Sequence, residues 1–223
     1  MADLTILFED SQHAVILKPA GVAVHGRGKQ SLIATFGRRD ETAKWLPVHR
    51  LDFATRGPVM VAKSTEILNT LQSQWNETTK IYHAWMVGDV KTVRGTSGFP
   101  IDNKKCRTDF MHLGSRPWGI HGSASLVEWS LRTGRTHQIR RHAAALGHAI
   151  VGDPVYGHGP TYTGHGLHLT CTHLSWNHPL TGDRLSVTAP PAKKMIRAVP
   201  GTFMPNEQTT SPWLNHFIPR PSS

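Results

Sequence analysis

The sequence predicts an α+β fold with a mixed, mostly antiparallel β-sheet core and a few flanking helices. Segments that alternate apolar and polar residues, which are typical of strands, outnumber segments with helical spacing. Gly and Pro follow many of these segments closely, as they do in turns between strands. The chain has 223 residues, of which 38% are hydrophobic, and it is long enough to bury a core.

The predicted elements of the first half are two hairpin strands, a short helical turn, a strand pair and a helix. The hairpin strands cover residues 4–8 and 13–17, and the helical turn covers residues 31–36. Strand character begins again at Leu46, includes residues 49–52, and returns at residues 59–62. Ser64 is a suitable N-cap for a helix that runs to about Asn76. A long alternating strand is predicted over residues 80–87.

The second half begins with residues 91–123, which are rich in Gly, Lys, Arg, Ser and Thr and predict a basic excursion from the core. Such an insertion is suited to holding a nucleic acid. A strand follows over residues 125–131, and then a helix that Thr136 caps and Gly147 ends. Two further strands are predicted over residues 167–175 and 184–188. No linker divides the chain, so a single domain is predicted over residues 1–199, with a loosely ordered tail over 200–223.

Charge and cysteine content restrict the class of protein. The chain has 25 Lys and Arg against 15 Asp and Glu, a net charge of +10, which favours a polyanionic partner. Its two cysteines are far apart and form no CxxC pair, which argues against a disulfide scaffold and a thiolate zinc site. No apolar run approaches the roughly 20 residues that cross a membrane. A reducing, cytoplasmic location and no membrane association are therefore expected.

Two strand-like segments place polar side chains where an ordinary core would not. The first is His-Arg-Leu-Asp at residues 49–52, followed by Thr-Arg-Gly at 55–57. In a strand, Arg50 and Asp52 point to one side and Leu51 to the other, although a surface ion pair at a sheet edge would give the same pattern. The second segment is Lys-Ile-Tyr-His-Ala at residues 80–84, where Tyr82 is also consistent with plain cross-strand packing.

A third segment, Gly-Arg-Thr-His-Gln-Ile-Arg at residues 134–140, opens the best-defined predicted helix. Arg140 lies beside the apolar stripe of that helix and not on the opposite face. A partly buried arginine requires an anion, although a basic helix in solvent is the simpler interpretation. The segment continues as Gly-His-Ala-Ile-Val-Gly-Asp at residues 147–153.

Together these segments resemble the RluA-type family of RNA pseudouridine synthases. The characteristic strings of that family are HRLD followed by TSG, KxYxA, and GRTHQ(I/L)R followed by a GHPIVGD-like stretch, and they occur here in the same order. The resemblance covers about four fifths of the chain. It implies a mixed-sheet catalytic domain, a single essential aspartate that maps onto Asp52, and neither a metal nor an organic cofactor. Two residues depart from the pattern, since Arg56 replaces the usual Ser and Pro58 an aliphatic residue.

The chemistry of uridine isomerisation also indicates which roles the side chains of the site must have. The C1′–N1 bond must break, the uracil must turn, and C5 must join C1′. One carboxylate can attack the sugar carbon, attack the ring or remove a sugar proton, and the sequence leaves these alternatives open. Because burial disfavours an ionised carboxylate, a nearby guanidinium is expected, and Arg140 is the candidate.

Base flipping predicts further contacts with the RNA. Arg50 is suited to filling the space that the flipped base leaves, Tyr82 to stacking on the uracil, and Ile139 to forming an apolar floor. His49, Arg135 and His137 are further predicted substrate-binding residues. The predicted phosphate contacts are Arg27, Lys29, Lys104, Lys105, Arg107 and Arg116.

The remaining expectations concern the RNA and the competing functions. With 48 residues before His49, an N-terminal S4 module is not expected, and the short form is more similar to family members that act on transfer RNA than to those dedicated to 23S ribosomal RNA. No required protein partner is evident. The alternative is a non-catalytic RNA-binding or RNA-folding protein on the same scaffold. A hydrolytic glycosidase is less favoured because it ordinarily requires two carboxylates, and the motifs supply one.

Overall fold

The computed structural model describes residues 4–26, 31–39, 44–118, 122–157, 166–197, 204–208 and 211–212. The elements in chain order are β1 (Ile6–Glu9), β2 (His13–Lys18), α1 (Leu32–Gly37), β3 (Leu46–Pro47), β4 (Gly57–Ala62), α2 (Thr65–Ser73), a 3-10 helix (Trp75–Glu77), β5 (Thr79–Val87), β6 (Arg94–Ser97), β7 (Thr108–Pro117), β8 (Ser123–Leu131), α3 (Gln138–Ala145), β9 (Leu169–Asn177), β10 (Arg184–Thr188), α4 (Lys193–Arg197) and β11 (Met204–Pro205).

The chain forms two compact units, each built from two segments. The first unit contains Met1–Lys80 and Cys171–Ala189, and the second contains Ile81–Thr170 and Pro190–Ser223. Two of the three boundaries fall within β5 and β9, and the third follows β10. Strand pairing within each unit is antiparallel in the described residues, which confirms the predicted α+β class. The single domain predicted over residues 1–199 stays a prediction.

The first unit contains a four-stranded sheet in the order β1, β2, β4, β3 and a hairpin of β9 and β10. All residues of β2 and β4 are buried, including the polar residues His13 and Lys18 at the two ends of the apolar run in β2. Helix α2 packs Ile67 and Leu71 into the core with Trp176 of β9. The Ser64 hydroxyl accepts a hydrogen bond from the backbone N–H of Ile67 at 3.2 Å, which confirms the predicted cap.

The second unit is built around β7, which pairs with β8, β6 and β11, while β5 pairs with β8. Trp85 of β5 lies in its core with Leu113 and Leu126, and its indole N–H donates to the carbonyl of Met195 at 2.9 Å. Across the described part of the chain, the helices are too short or too polar to span a membrane.

Two predictions about strands are wrong. Residues 91–123 are not an excursion, because β6 and the ten-residue β7 lie there and Phe110 and Leu113 are buried. The polar residues of β7 concealed its alternation, which a bulge between His112 and Gly114 also interrupts. In the tail beyond residue 200, β11 pairs with β7, and the loose order predicted for residues 200–223 stays a prediction. Residues 49–52 follow β3 as an irregular segment, not a strand.

Candidate functional site

The segment that carries Asp52 is a turn anchored from both ends. Leu51 and Thr55 are 7% and 2% exposed, and the backbone N–H of Thr55 donates to the carbonyl of Asp52 at 3.0 Å. Asp52 itself is half-buried. Arg50 is exposed, and its guanidinium makes no hydrogen bond or ion pair with another described residue. The turn therefore presents a carboxylate and a guanidinium from a fixed backbone.

His49 explains why the strand stops before this turn. Its Nε2 accepts a hydrogen bond from the backbone N–H of Met60 at 3.1 Å, where a continuing strand would offer a carbonyl. The ring stacks on Trp75 with 4.5 Å between centroids. Burial, with the positive charge of Lys80, lowers the pKa of His49 to about 3, so the imidazole is neutral. The structure gives His49 a part in fixing the turn, and its contact with substrate stays a prediction.

Lys18 is the residue near Asp52 that sequence reasoning missed. It ends β2 with a side chain that is 0% exposed, and its ammonium donates to three carbonyl oxygens. These belong to Pro19 at 2.9 Å, Val22 at 2.7 Å and Phe53 at 3.1 Å. Burial lowers the pKa of Lys18 to about 8, and the negative charge of Asp52 opposes that shift. A lysine at the end of an apolar strand and before a proline was the available signal.

Replacing Lys18 with Met is expected to remove a pH-dependent part of the stability. The pKa of Lys18 is about 8 in the fold and 10.5 when unperturbed, so the unfolded chain binds more protons between these values. The free energy of unfolding of the wild type should therefore rise with pH in this range, relative to the variant, by about 1–3 kcal/mol.

Urea unfolding of both proteins at several pH values across this range measures the difference. The variant is also expected to be less stable at every pH, because three buried carbonyls lose a donor, but only the slope tests the titration. Lys91, whose side chain is 85% exposed, provides the matched control, and Lys91→Met should keep the wild-type slope. Parallel curves for wild type and Lys18→Met would contradict the prediction.

Helix α3 begins later than predicted, at Gln138, and Thr136 is not its cap. His137 precedes the helix with φ of 55°, a left-handed conformation that tightens the entry. The side chain of Gln138 fixes this entry, because its Oε1 accepts from the Thr133 hydroxyl and the Arg135 backbone N–H, both at 2.9 Å. Its amide nitrogen donates to the carbonyl of Arg107 at 3.1 Å.

Arg140, on the first turn of α3, is held by Asp153. The Nε and Nη2 atoms donate to the two carboxylate oxygens at 2.8 and 2.7 Å, and the side chains are 6% and 0% exposed. The guanidinium also lies 5.0 Å from the ring centroid of Tyr156. Burial raises the pKa of Asp153, but hydrogen bonds from Arg140 and from backbone N–H groups outweigh it, so the pKa lies below its usual value.

This bidentate pair identifies an anion that binds Arg140. The sequence indicates that a buried arginine here needs an anion, and the Asp153 carboxylate binds two of its nitrogens, while the predicted pairing of Arg140 with Asp52 stays a prediction. Asp153 and Tyr156 are contacts of Arg140 that sequence reasoning missed. Their signal was an aspartate before a proline, shortly after the helix, within the same family string.

The other predicted substrate contacts differ in exposure. Tyr82 and Ile139 are 7% and 4% exposed. Arg135 is exposed, and His137 is half-buried with its Nδ1 3.0 Å from the Tyr156 hydroxyl. Their contacts with a nucleotide stay predictions.

The predicted phosphate contacts divide into three groups. Lys104, Lys105 and Arg107 are exposed, and Arg107 shares the carboxylate of Asp109 with Arg132. Arg116 is 3% exposed and lies over the ring of Trp85 at 5.6 Å, which argues against the phosphate contact that the sequence predicts for it. A guanidinium that is buried against an aromatic ring is not accessible to a phosphate group at the protein surface. Arg27 and Lys29 lie outside the described residues.

One cluster, Asp10, His13 and His178, brings together three groups that bind metals in other proteins. His13 Nε2 accepts from the Trp176 indole at 2.9 Å, and His178 Nδ1 accepts from the backbone N–H of Thr181 at 3.1 Å. Each imidazole therefore carries its proton on the nitrogen that faces Asp10. A histidine bound to a metal donates its other N–H to an acceptor, whereas here both outer nitrogens face donors. The donor set fits a hydrogen-bonded contact between two turns, not a metal site.

Comparisons with known proteins agree with one another. The family model described as RNA pseudouridylate synthase matches residues 12–145. An uncharacterised RNA pseudouridine synthase of Bacillus subtilis, YhcT, is 34% identical over 208 residues, which cover 84% of this chain and 68% of that protein. Ribosomal large subunit pseudouridine synthase C of Vibrio vulnificus is 33% identical over 218 residues, covering 87% of this chain and 68% of that protein. The chain thus spans about two thirds of each relative.

A solved structure shows the same fold. Human RNA pseudouridylate synthase domain containing 1 superposes with a TM-score of 0.76, over 94% of this chain and 91% of that one, at 23% identity.

Proposed function

This chain belongs to the RNA pseudouridylate synthase family and is an RNA-modifying isomerase, and we propose that Asp52 is its single catalytic carboxylate. The observation that carries the proposal is the anchored turn at residues 49–55, which lies inside the family match. It presents a half-buried Asp52 beside an exposed Arg50. A carboxylate on a fixed backbone can act on C1′, on the ring or on a sugar proton without reorganising the protein.

The assignment of the other catalytic groups rests on the family motifs that contain them. Tyr82 stacks on the uracil, and Ile139 contributes an apolar surface. Arg140 supplies positive charge that favours an ionised carboxylate, and Asp153 and Tyr156 fix its orientation. Arg50 enters the space of the flipped base, which its exposure and lack of a described partner permit.

The substrate we propose is a uridine in structured RNA, and transfer RNA is the first candidate. A net charge of +10 supports a nucleic-acid substrate. The second candidate is 23S ribosomal RNA, because relatives at 33% and 36% identity are named ribosomal large subunit pseudouridine synthase C.

Tritium release tests the activity and separates these substrates. The protein is incubated with separate 5-tritiated transcripts of transfer RNA and of 23S ribosomal RNA, since joining C5 to C1′ expels the tritium. Release from transfer RNA alone supports the first candidate, and release from 23S ribosomal RNA alone supports the second. Binding of both RNAs without release would instead favour a non-catalytic RNA-binding protein.

Binding of the RNA is expected to weaken steeply with added salt. Each phosphate that a Lys or Arg neutralises adds about one unit to the slope of log K against log salt concentration. Filter binding between about 50 and 200 mM salt measures this slope. The exposed pair Lys104 and Lys105 should account for up to about two units, which Lys104→Ala/Lys105→Ala would remove. A slope that the double variant leaves unchanged would exclude these lysines as phosphate contacts.

A further inference from the structure

Phe53, which directly follows Asp52, has an unusual exposure. At 64%, it is the most exposed of the large hydrophobic side chains in the described part of the chain. The surrounding segment is packed, with Leu51 at 7% and Thr55 at 2%. The turn is thus anchored through its neighbours, while the ring projects into solvent. An isolated exposed hydrophobic residue needs no explanation by itself, so the inference depends on what fixes this ring and what lies beside it.

The backbone of Phe53 is fixed from two sides. Its carbonyl accepts hydrogen bonds from the Lys18 ammonium at 3.1 Å and from the Gly21 backbone N–H at 2.8 Å. The turn is closed by the bond from Thr55 to Asp52 at 3.0 Å. A buried lysine therefore holds the residue that carries the exposed ring. An aromatic side chain on such a backbone has only two free torsions, so ordering it against a partner costs little entropy.

The neighbouring groups indicate what the ring would contact. Exposed Arg50 and half-buried Asp52 share the same short segment, and the chain as a whole carries a charge of +10. A protein interface would require a broader apolar patch than one ring. A nucleobase needs only one flat apolar face, and stacking of a base on an aromatic side chain is the usual way in which unpaired RNA is bound.

We propose that Phe53 is a base-stacking residue that contacts an unpaired nucleobase next to the uridine held at Asp52. This inference rests on the proposed function and adds a specificity-determining contact to it. The ring takes no part in proton transfer or bond cleavage. It favours RNA in which the nucleotide beside the target is unpaired and available for stacking.

The test compares Phe53→Ala, Phe53→Leu and Phe53→Trp with the wild type on the 5-tritiated transcripts of transfer RNA and 23S ribosomal RNA. Initial rates at low and at saturating RNA separate KM from kcat. Loss of one stacked base should raise KM by about ten- to a hundredfold in Phe53→Ala and Phe53→Leu, with little change in kcat. Phe53→Trp should keep KM within about threefold of the wild type. The salt slope of RNA binding should not change, because no phosphate contact is lost.

Leu180→Ala is the matched control, since Leu180 is 63% exposed and lies in the turn between β9 and β10. It should leave KM unchanged. An unchanged KM in Phe53→Ala would overturn the inference while wild-type tritium release still supported the proposed function. An equal rise of KM in Phe53→Trp and Phe53→Ala would also overturn it, because a structural effect would then be responsible. Absence of release by the wild type would overturn both.

Discussion

Replacement of Asp52 by Asn is expected to abolish tritium release, lowering the rate by at least about 10⁴-fold. The amide has the size of the carboxylate but neither attacks carbon nor accepts a proton at neutral pH. All three modes of action open to a single carboxylate fail together. The turn itself should persist, since it is closed by the backbone bond between Asp52 and Thr55 and by the anchoring of Leu51.

Two measurements distinguish loss of chemistry from loss of structure in this variant. The thermal midpoint and the affinity for RNA should stay close to those of the wild type. The matched control is Asp183→Asn, in the exposed turn before β10, where the carboxylate accepts a hydrogen bond from the Thr181 hydroxyl. That control should keep full turnover. Turnover of Asp52→Asn within tenfold of the wild type would assign the catalytic carboxylate elsewhere.

Replacement of Asp153 by Ala is expected to lower the free energy of unfolding by about 3–5 kcal/mol. The change leaves the Arg140 guanidinium buried without the carboxylate that binds two of its nitrogens. The backbone N–H groups of Val155 and Tyr156 also lose their acceptor. Turnover should fall as well, because Arg140 loses the partner that orients it. Urea unfolding and tritium release measure the two effects.

The control for this variant is Asp109→Ala, which removes a carboxylate that is 25% exposed and binds Arg107 and Arg132, each 63% exposed. Because solvent reaches these arginines, the expected loss is smaller, about 1–2 kcal/mol. The pH dependence gives a second check. Because the pKa of Asp153 lies below 3.8 in the fold, its contribution is complete above pH 3.8 and is lost as the pH falls through the lower value. Equal losses in both variants would contradict a special role for the buried pair.

Local signals predicted the elements well where one segment contained all the necessary information. The cap at Ser64 and the apolar stripe of α2 lie within one helix, and the first hairpin lies within residues 6–18. The prediction failed for β7, where polar residues and a bulge conceal the alternation, and for residues 49–52. There, the side chain of His49 takes the place of a strand partner for Met60, which no local pattern reveals.

The sequence alone predicted the family and the residue proposed for catalysis. This was possible because each motif is a short contiguous segment, which can be recognised without knowing the fold. Only the tertiary structure decided which groups surround those residues. The Lys18 ammonium donates to the carbonyl of Phe53, which is 35 residues away in the sequence, and Arg140 donates to Asp153, which is 13 residues away. Burial and hydrogen-bond geometry arise only when separate segments pack against one another. The spacing of residues in the sequence therefore could not predict that Lys18 is buried against the Asp52 turn or that the ring of Phe53 is exposed on it.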